Sequence, residues 1–194
     1  MDYISKIKAA GFGEIPLYPC NDIGITRLFY DLNSSIIRYI TEAKTWFFYD
    51  GRKWLRKNGM FRAMELCKDF TLAFSEYAAV HHTDDEAFIK YAAKLTSRRN
   101  REGILSDARS IAPVSLSDFD RDKYLLNVQN GTLNLKSFML QPHNPADMIT
   151  KMAPVKFDPK AKCARWERFI SEIMCGDVDT ATFLQKSLGD LLCF

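Results

Sequence analysis

The chain has 194 residues, of which 47% are hydrophobic and 26% are charged, and its formal net charge is +3. This composition is typical of a globular protein and argues against a disordered chain. No apolar run reaches the roughly 20 residues that a membrane-spanning helix needs, and the N-terminal stretch lacks the apolar core of a secretory signal. A net charge of this size identifies no anionic partner, so that question depends on where the cations cluster.

The cysteines are an odd and widely scattered set: Cys20, Cys67, Cys163, Cys175 and Cys193. No two of them form a CxxC pair, so their spacing predicts neither a disulfide framework nor a zinc site. We therefore expect reduced thiols in a cytoplasmic protein that has no contact with a membrane.

The first predicted element is an amphipathic helix over residues 22–33. Asn21 and Asp22 offer a side-chain cap for the free backbone N–H groups of its first turn. Apolar residues then recur at the spacing of one helix face: Ile25, Leu28, Phe29 and Leu32. Residues 1–20, which precede this helix, are expected to be a linker or a trimmed start.

A β-meander is predicted next. Residues 36–40 are β-branched and alternating, and the sequence WFFYDGRKWL follows as a hairpin with Asp50-Gly51 at its tip. One face of this hairpin is expected to hold Phe47, Tyr49, Arg52 and Trp54, and the other Trp46, Phe48, Lys53 and Leu55. Because aromatic residues occur on both faces, neither is plainly solvent-facing.

Three helices are predicted between the meander and Pro113. The first, over residues 60–80, is apolar nearly all round and should be central to the core. The second begins at Thr83, which fits a capping box with Glu86, and it ends at Ser97-Arg98-Arg99. The third is short and carries Ile104, Leu105, Ala108 and Ile111.

A second hairpin is predicted from the sequence YLLNVQNGTLNLKS. Asn130-Gly131 is the strongest short-range signal for a two-residue turn in which both central residues have positive φ. Pairing outward from that turn places Leu126, Val128, Leu133 and Leu135 on one face, and Asn127, Gln129, Thr132 and Asn134 on the other. We therefore expect the first face to pack and the second to meet water.

Two helices, over residues 164–175 and 178–193, are predicted after an extended segment that contains several prolines. The apolar stripe of the first is Trp166, Phe169, Ile170, Ile173 and Met174, and that of the second is Ala181, Leu184, Leu188, Leu191 and Leu192. Because the chain stops on apolar residues, we expect a longer polypeptide to continue beyond Phe194.

The predicted fold class is α+β, mostly helical, with two β-hairpins or small antiparallel sheets and a C-terminal helical pair. We divide the chain into four segments. Residues 1–20 form the linker or trimmed start, and residues 21–112 the first hairpin with its helices. Residues 113–162 form the second hairpin with the extended proline-containing segment, and residues 163–194 a helical collar.

Four segments in a fixed order carry a family resemblance, which extends from about residue 20 to the end. They are NDIGITRLFYDLNSSIIRYITEAKTWFFYDGRKW, YLLNVQNGTLNLKS, LQPHNPADMITKMAPVKFDPKAKCARWERFISEI and FLQKSLGDLL. These segments resemble the domain that immediately precedes the superfamily-three helicase in phage and plasmid primase-helicases, which is related to the poxvirus primase-helicase. The family pattern opens Thr-Asp-x-Gly-Asn-Ala, of which only Asp22-Ile23-Gly24 is retained. Where the family hairpin continues Leu-x-Thr-Gly, this chain has Leu135-Lys136-Ser137-Phe138.

The resemblance implies a helper domain in DNA replication rather than an enzyme. No GxxxxGK[ST] phosphate-binding loop occurs in the sequence, so this chain is not expected to hydrolyse ATP or to hold a cofactor. In the family, ATP and Mg²⁺ are used by the helicase domain downstream. The implied partners are single-stranded or forked DNA, that helicase domain, and further copies of the chain in a ring.

Two clusters of cations are the candidate nucleic-acid contacts. The 52–57 cluster comprises Arg52, Lys53, Arg56 and Lys57, and the 94–101 cluster comprises Lys94, Arg98, Arg99 and Arg101. Such side chains gain affinity for polynucleotide by releasing counterions, and the nearby Trp54 and Phe61 could stack on unpaired bases. Each cluster has a structural alternative, because hairpin aromatics are often core and the dipole favours cations at a helix C-terminus.

Two groups of residues contain potential metal ligands. His81, His82, Asp84, Asp85 and Glu86 could serve a metal-dependent nuclease, but acids also complement the dipole in the first turn of a helix. Asp118, Asp120 and Asp122 mimic a calcium loop, but they lack the glycine at position six and the glutamate at position twelve. A third alternative is an oligomerisation or protein-docking module that makes no contact with DNA.

Overall fold

The structure is a computed structural model, and it describes residues 2–14 and 16–190. The chain divides into two compact units, the first comprising Met1–Asp50 with Trp54–Phe119 and the second Gly51–Lys53 with Asp120–Phe194. The described residues form seven α-helices and two three-stranded antiparallel sheets, which confirms the predicted α+β class. The four segments predicted from the sequence stay a prediction.

The first unit consists of five helices and one sheet. Its elements are α1 (Tyr3–Ala10), α2 (Asp22–Asn33), β1 (Ile37–Ile40), β2 (Thr45–Tyr49), β3 (Trp54–Leu55), α3 (Gly59–His81), α4 (Glu86–Leu95) and α5 (Arg98–Ala108). The long helix α3 packs against α1, α2, α4, α5 and β2, and it buries Cys67, Phe70 and Phe74 in the core. Its predicted central position is therefore confirmed.

The helix α1 lies where the sequence predicted no element. Tyr3 and Ile7 are buried against α3, and the ring of Tyr3 meets that of Phe70 edge-on with centroids 5.8 Å apart. The Tyr3 hydroxyl donates a 2.6 Å hydrogen bond to Asn33 Oδ1, and burial raises the pKa of Tyr3 to about 12. This contact joins the first and second helices within one core.

The helix α2 begins and ends where the sequence predicts. Asn21 Oδ1 accepts hydrogen bonds from the backbone N–H groups of Ile23 (3.1 Å) and Gly24 (3.0 Å), as expected of an N-cap. A Cβ atom added at Gly24 would lie 1.9 Å from the carbonyl oxygen of Pro19. The glycine of Asp22-Ile23-Gly24 is therefore needed for this close backbone approach.

The first sheet has the strand order β1-β2-β3, with Ile37 opposite Phe48 and Tyr49 opposite Trp54. Four residues, 50–53, connect β2 to β3, so the predicted two-residue tip at Asp50-Gly51 is wrong. The pairing of β2 with β3 differs from the predicted pairing by two residues. Because this is an even number, the predicted faces are retained for Tyr49 and Trp54. Trp46, Phe47 and Trp54 are buried, which confirms that neither face is solvent-facing.

The boundary between α4 and α5 differs from the prediction. Asp85 is the N-cap of α4, since its carboxylate accepts a 2.9 Å hydrogen bond from the Phe88 N–H, and the predicted capping box at Thr83 is wrong. Ser97 is the N-cap of α5. Arg98 therefore opens a helix, whereas the sequence pattern had placed it at the end of one.

The second unit contains one sheet and two helices. Its elements are β4 (Leu125–Val128), β5 (Gly131–Asn134), β6 (Met139–Gln141), α6 (Ala164–Ile173) and α7 (Val178–Asp190). The sheet has the order β4-β5-β6, and its third strand was not predicted. The helical pair is confirmed, although Leu191 and Leu192 of its predicted stripe lie outside the described residues.

The hairpin of β4 and β5 has the predicted faces but a different turn. Val128 pairs with Gly131, so the two connecting residues are Gln129 and Asn130, and Asn130 does not have positive φ. Gly131 has a φ of 154°, and a Cβ atom added to it would lie 2.4 Å from the Gln141 carbonyl oxygen in β6. The glycine is thus explained by a close strand approach, and the predicted turn is wrong.

The polar face of this hairpin is covered, so the expectation that it meets water is wrong. Asn127 and Thr132 are only 3% and 1% exposed. Asn127 Nδ2 donates 3.0 Å hydrogen bonds to the carbonyl oxygens of Arg52 and Lys151. The side chain of Asn130 donates to the Phe157 carbonyl and accepts from the Phe157 N–H, both at 2.9 Å. Amide side chains therefore attach the proline-containing segment to the sheet.

The helix α6 has an apolar stripe that its own unit leaves largely uncovered. Ile170 is buried, whereas Trp166, Phe169 and Ile173 are exposed. The rings of Trp166 and Phe169 contact each other, with centroids 6.0 Å apart. Among the helices in the described ranges, none is both long and apolar enough to cross a membrane.

Candidate nucleic-acid interface

The 52–57 cluster is divided between the two units. Arg52 and Lys53 lie in the loop between β2 and β3, which groups with the second unit, whereas Arg56 and Lys57 precede α3 in the first. Arg52, Arg56 and Lys57 are exposed, and Lys53 is half-buried. The cluster therefore consists of two pairs of cations, one pair in each unit.

The aromatic residues beside this cluster are mostly core. Trp54 is buried, and its ring lies 5.5 Å from that of Tyr49 and 6.0 Å from that of Phe119, centroid to centroid. The Arg62 guanidinium covers the ring of Phe48 at 5.2 Å from the centroid. Only Phe61, among the aromatics of residues 46–61, is largely exposed and offers an open ring to a base.

The 94–101 cluster surrounds the junction of α4 and α5. Lys94 belongs to the last turn of α4, and Arg98 and Arg99 to the first turn of α5; all three are exposed. The Arg101 guanidinium is half-buried and donates a hydrogen bond to the carbonyl oxygen of Thr96. Asn100 Nδ2 donates a 2.6 Å hydrogen bond to the carbonyl oxygen of Lys94. Arg101 therefore has a structural role, because it satisfies a free carbonyl at the end of α4.

Arg98 and Arg99 lie in the first turn of α5, so the helix dipole does not explain their positive charge. The N-terminus of a helix carries a positive partial charge, so cations in its first turn are disfavoured by the macrodipole. The alternative that a helix end favours these cations is therefore wrong for both arginines. Lys94 alone occupies the C-terminal turn where the dipole favours a positive charge.

Carboxylates lie close to the same cluster. Arg98 Nε and Glu102 Oε1 form a 2.8 Å ion pair, and this contact raises the pKa of Arg98. The pair is exposed to solvent, and an exposed i,i+4 pair of this kind contributes little to stability. Arg99 lines a depression together with Asp22 and Asp107. The cations of this cluster therefore have carboxylates of the same unit as neighbours.

Three of the five potential ligands at residues 81–86 make contacts within the local structure: His81, His82 and Asp85. Asp85 caps α4, and the His82 ring packs on Phe88 with centroids 4.6 Å apart. His82 Nε2 lies 3.4 Å from the Tyr77 hydroxyl oxygen, and the ring of His81 packs against Tyr77. Within the part of the chain that the structure describes, no three His, Cys, Asp or Glu side chains are placed to hold a metal ion.

The three aspartates at 118–122 bind three separate backbone sites. Asp118 accepts a 2.9 Å hydrogen bond from the Ser115 N–H and Asp122 one from the Tyr124 N–H, also at 2.9 Å. Asp120 accepts from both the N–H and the hydroxyl of Thr150, at 2.8 and 2.5 Å. Their carboxylates are therefore used to fix loops.

The sequence pattern did not predict a further group of candidate functional residues, which comprises Lys123, Tyr124, Lys136 and Phe138. The Lys136 and Lys123 ammonium groups lie 4.1 and 5.6 Å from the ring centroid of Tyr124. Phe138, in the turn between β5 and β6, has positive φ and an exposed ring. The only signal in the sequence was the replacement of the family's Gly by Phe138, since the strand that forms this turn was not predicted.

A family model described as D5 N terminal like matches residues 26–175, which is more than half of the chain. The matched range contains both basic clusters, both sheets and the helix α6. No curated protein matches the chain.

Proposed function

The chain belongs to the D5 N-terminal-like family, the N-terminal domain of D5-type primase-helicase proteins, and from that premise we propose that it helps to load and organise a ring helicase on DNA. Domains of this family are non-catalytic and occur in replication proteins beside a helicase domain. In this proposal, ATP and Mg²⁺ are used by the helicase domain. The present chain supplies electrostatic contact with DNA and surfaces for packing.

The observation that carries the DNA-binding part is the exposure of Lys94, Arg98 and Arg99 around one helix junction. The fold gains little from Arg98 and Arg99, because the macrodipole opposes both and the ion pair of Arg98 with Glu102 is solvent-exposed. A phosphate at this junction would gain from the three cations and from the N-terminus of α5 together. We infer that these side chains guide single-stranded or forked DNA.

The test is the salt dependence of DNA binding by a variant with Lys94→Gln and Arg99→Gln. Both side chains are exposed, and neither has the structural hydrogen bond that makes Arg101 unsuitable for substitution. We expect weaker binding to a single-stranded oligonucleotide, with similar losses across sequences. The slope of log affinity against log salt should become shallower by about 1.4, since each lost phosphate contact contributes about 0.7.

A matched control removes the same charge elsewhere in the first unit. Lys6→Gln with Lys8→Gln changes two exposed lysines of α1, so non-specific effects of net charge appear equally in both double variants. A cluster variant with the slope of the native chain, or with the slope of this control, would contradict the assignment.

A second candidate function is protein docking, which the exposed stripe of α6 favours. Trp166, Phe169 and Ile173 present apolar surface that no described residue of the chain covers fully. Such a surface is typical of an interface, and we propose that it packs on the helicase domain or on a neighbouring subunit of the ring.

Sedimentation velocity of the variant Trp166→Ser with Phe169→Ser tests this packing. The native chain should self-associate, or co-sediment with an added helicase domain of the same family, and the variant should do neither. Leu72→Ser with Val80→Ser removes two exposed apolar residues from α3 and serves as the control. Equal assembly by the three proteins would exclude α6 as the docking surface.

A further inference from the structure

The turn between β5 and β6 is held in one conformation by its own side chains. Asn134 Oδ1 accepts hydrogen bonds from the backbone N–H groups of Lys136 (2.9 Å) and Ser137 (3.2 Å). Ser137 Oγ accepts from the Met139 N–H at 3.4 Å, and Met139 pairs with Asn134 across the hairpin. The residues at its tip are therefore presented in a defined orientation.

The turn exposes the apolar ring of Phe138 on a backbone conformation that is unfavourable for phenylalanine. Phe138 is 72% exposed and Met139 is 67% exposed. Phe138 also has a φ of 54°, in the left-handed region that glycine and asparagine occupy readily and bulky residues rarely adopt. The ring thus gains little burial, and its backbone conformation is disfavoured. Strained, exposed residues of this kind are typical of binding sites.

Positive charge lies in and around the same turn. Lys136 belongs to the turn itself, and its ammonium group lies 4.1 Å from the Tyr124 ring centroid, with that of Lys123 at 5.6 Å. The Leu135 N–H donates a 2.8 Å hydrogen bond to the Tyr124 carbonyl, which attaches this tyrosine to the turn. The nearby Asp122 carboxylate accepts from the Tyr124 N–H. Tyr124 therefore gathers Lys123 and Lys136 on its ring and is itself attached to the turn that carries Phe138.

We propose that this surface, which we name the Phe138 turn (residues 135–139 with Lys123 and Tyr124), binds single-stranded nucleic acid. Phe138 stacks on an unpaired base, and the ammonium groups of Lys136 and Lys123 bind the flanking phosphates. An exposed aromatic ring in a turn that also carries cations matches a base with its phosphates better than it matches an apolar protein surface. The inference rests on the proposed function in DNA handling, and it adds a stacking contact with a base in the second unit.

The decisive variant is Phe138→Gly, since it removes the ring and relieves the backbone strain together. We expect affinity for an oligo-dT to fall by about 5- to 150-fold, which corresponds to the roughly 1–3 kcal/mol typical of one lost base–aromatic stack. The midpoint of thermal unfolding should stay the same or rise, because glycine is favoured at this φ. A structural role for Phe138 would instead lower that midpoint, and that result would overturn the proposal.

Phe183→Ala in α7 is the matched control, because Phe183 is 71% exposed and lies on an ordinary helix. This variant should bind oligo-dT as the native chain does. An oligonucleotide with an abasic sugar at each position should bind the native chain and Phe138→Gly equally, since no base is left to stack. Lys136→Gln should weaken binding to both oligonucleotides.

The outcomes separate this inference from the proposed function. If Phe138→Gly binds oligo-dT as tightly as the native chain, while the Lys94 and Arg99 double variant binds weakly, only the present inference fails. If the native chain binds no single-stranded DNA, both fail. If Phe138→Gly changes self-association in sedimentation but not DNA affinity, the Phe138 turn is a protein contact and the inference is overturned.

Discussion

Single residues explain why parts of the family pattern are retained in this chain. Gly24 is the best example, because the backbone of α2 passes so close to Pro19 that no side chain fits. The sequence showed that the glycine was kept, but the reason depends on a neighbour that only the folded chain supplies. Arg101 is the opposite example, since a residue predicted from its charge also caps the carbonyl end of a helix.

The close approach at Gly24 makes a stability prediction. Gly24→Ala should lower the free energy of unfolding by about 2–3 kcal/mol, because the added Cβ would overlap the Pro19 carbonyl unless the backbone moves. Gly103→Ala is the control, since nothing lies within 4 Å of a Cβ at that position in α5. It should raise stability by about 0.5–1 kcal/mol through helix propensity. Urea unfolding measures both, and a stable Gly24→Ala protein would contradict the geometry.

Glu42 gives a prediction for the dependence of stability on pH. Its carboxylate accepts hydrogen bonds from the Ser115 hydroxyl (2.5 Å), the Thr41 hydroxyl (2.8 Å) and the Leu116 N–H (3.3 Å). These bonds, that of Ser115 first, lower the pKa of Glu42 from 4.5 to about 2. A lowered folded-state pKa stabilises the fold above the unfolded value, and this contribution is lost as the pH falls from about 4.5 to about 2.

The corresponding experiment compares the native chain with Glu42→Gln. The variant should be less stable at pH 7, and the difference in unfolding free energy should shrink as the pH falls from 4.5 to 2. Thermal unfolding at several pH values measures this difference, and a carboxyl NMR titration reports the pKa directly. A difference that is constant over this range would show that Glu42 is not held as a carboxylate by Ser115.

Among the elements, those fixed by local chemistry were predicted and those fixed by distant contacts were not. The bounds of α2 follow from a cap and an apolar period that are contiguous in sequence, so they were predicted correctly. The turn at Asn130 was predicted wrongly because its side chain binds Phe157, 27 residues away. The strand β6 was missed because its residues carry no alternating pattern long enough to recognise.

In the two hairpins, the faces of the strands were predicted correctly and the turns were not. In both, the strand pairing differs from the prediction by two residues, an even number, so the predicted faces were retained. Burial nevertheless differed for the second hairpin, because polarity predicted water where Asn127 instead meets backbone carbonyls. A buried amide cannot be distinguished from an exposed one by alternation alone.

The buried amide provides the prediction for the second sheet. Asn127→Ala removes the donor for the carbonyls of Arg52 and Lys151, which should lower the free energy of unfolding by about 2 kcal/mol. Amide hydrogen exchange in β4 and β5 should also become faster, since the covering segment is attached there. Gln185→Ala, which removes an exposed amide from α7, should change neither quantity. Equal effects of the two substitutions would show that Asn127 is not a structural amide.

On the scale of the whole molecule, the cations were visible in the sequence but their partners were not. Counting charges identified both basic clusters, whereas the pairing of Arg98 with Glu102 and the structural bond of Arg101 required the fold. The Phe138 turn could not be predicted, because it depends on a strand that carries no clear pattern and on a tyrosine from another strand end. The cations of the candidate site were therefore proposed from their charge, and the structure added the contacts that their side chains make.

The central claim is that this domain binds single-stranded DNA through its exposed cations. The most direct measurement is the affinity of the native chain for a labelled oligo-dT at several salt concentrations. We predict a slope of log affinity against log salt of about −2 or steeper, because at least three phosphates are neutralised. Binding that is insensitive to salt, or no binding at low salt, would contradict it.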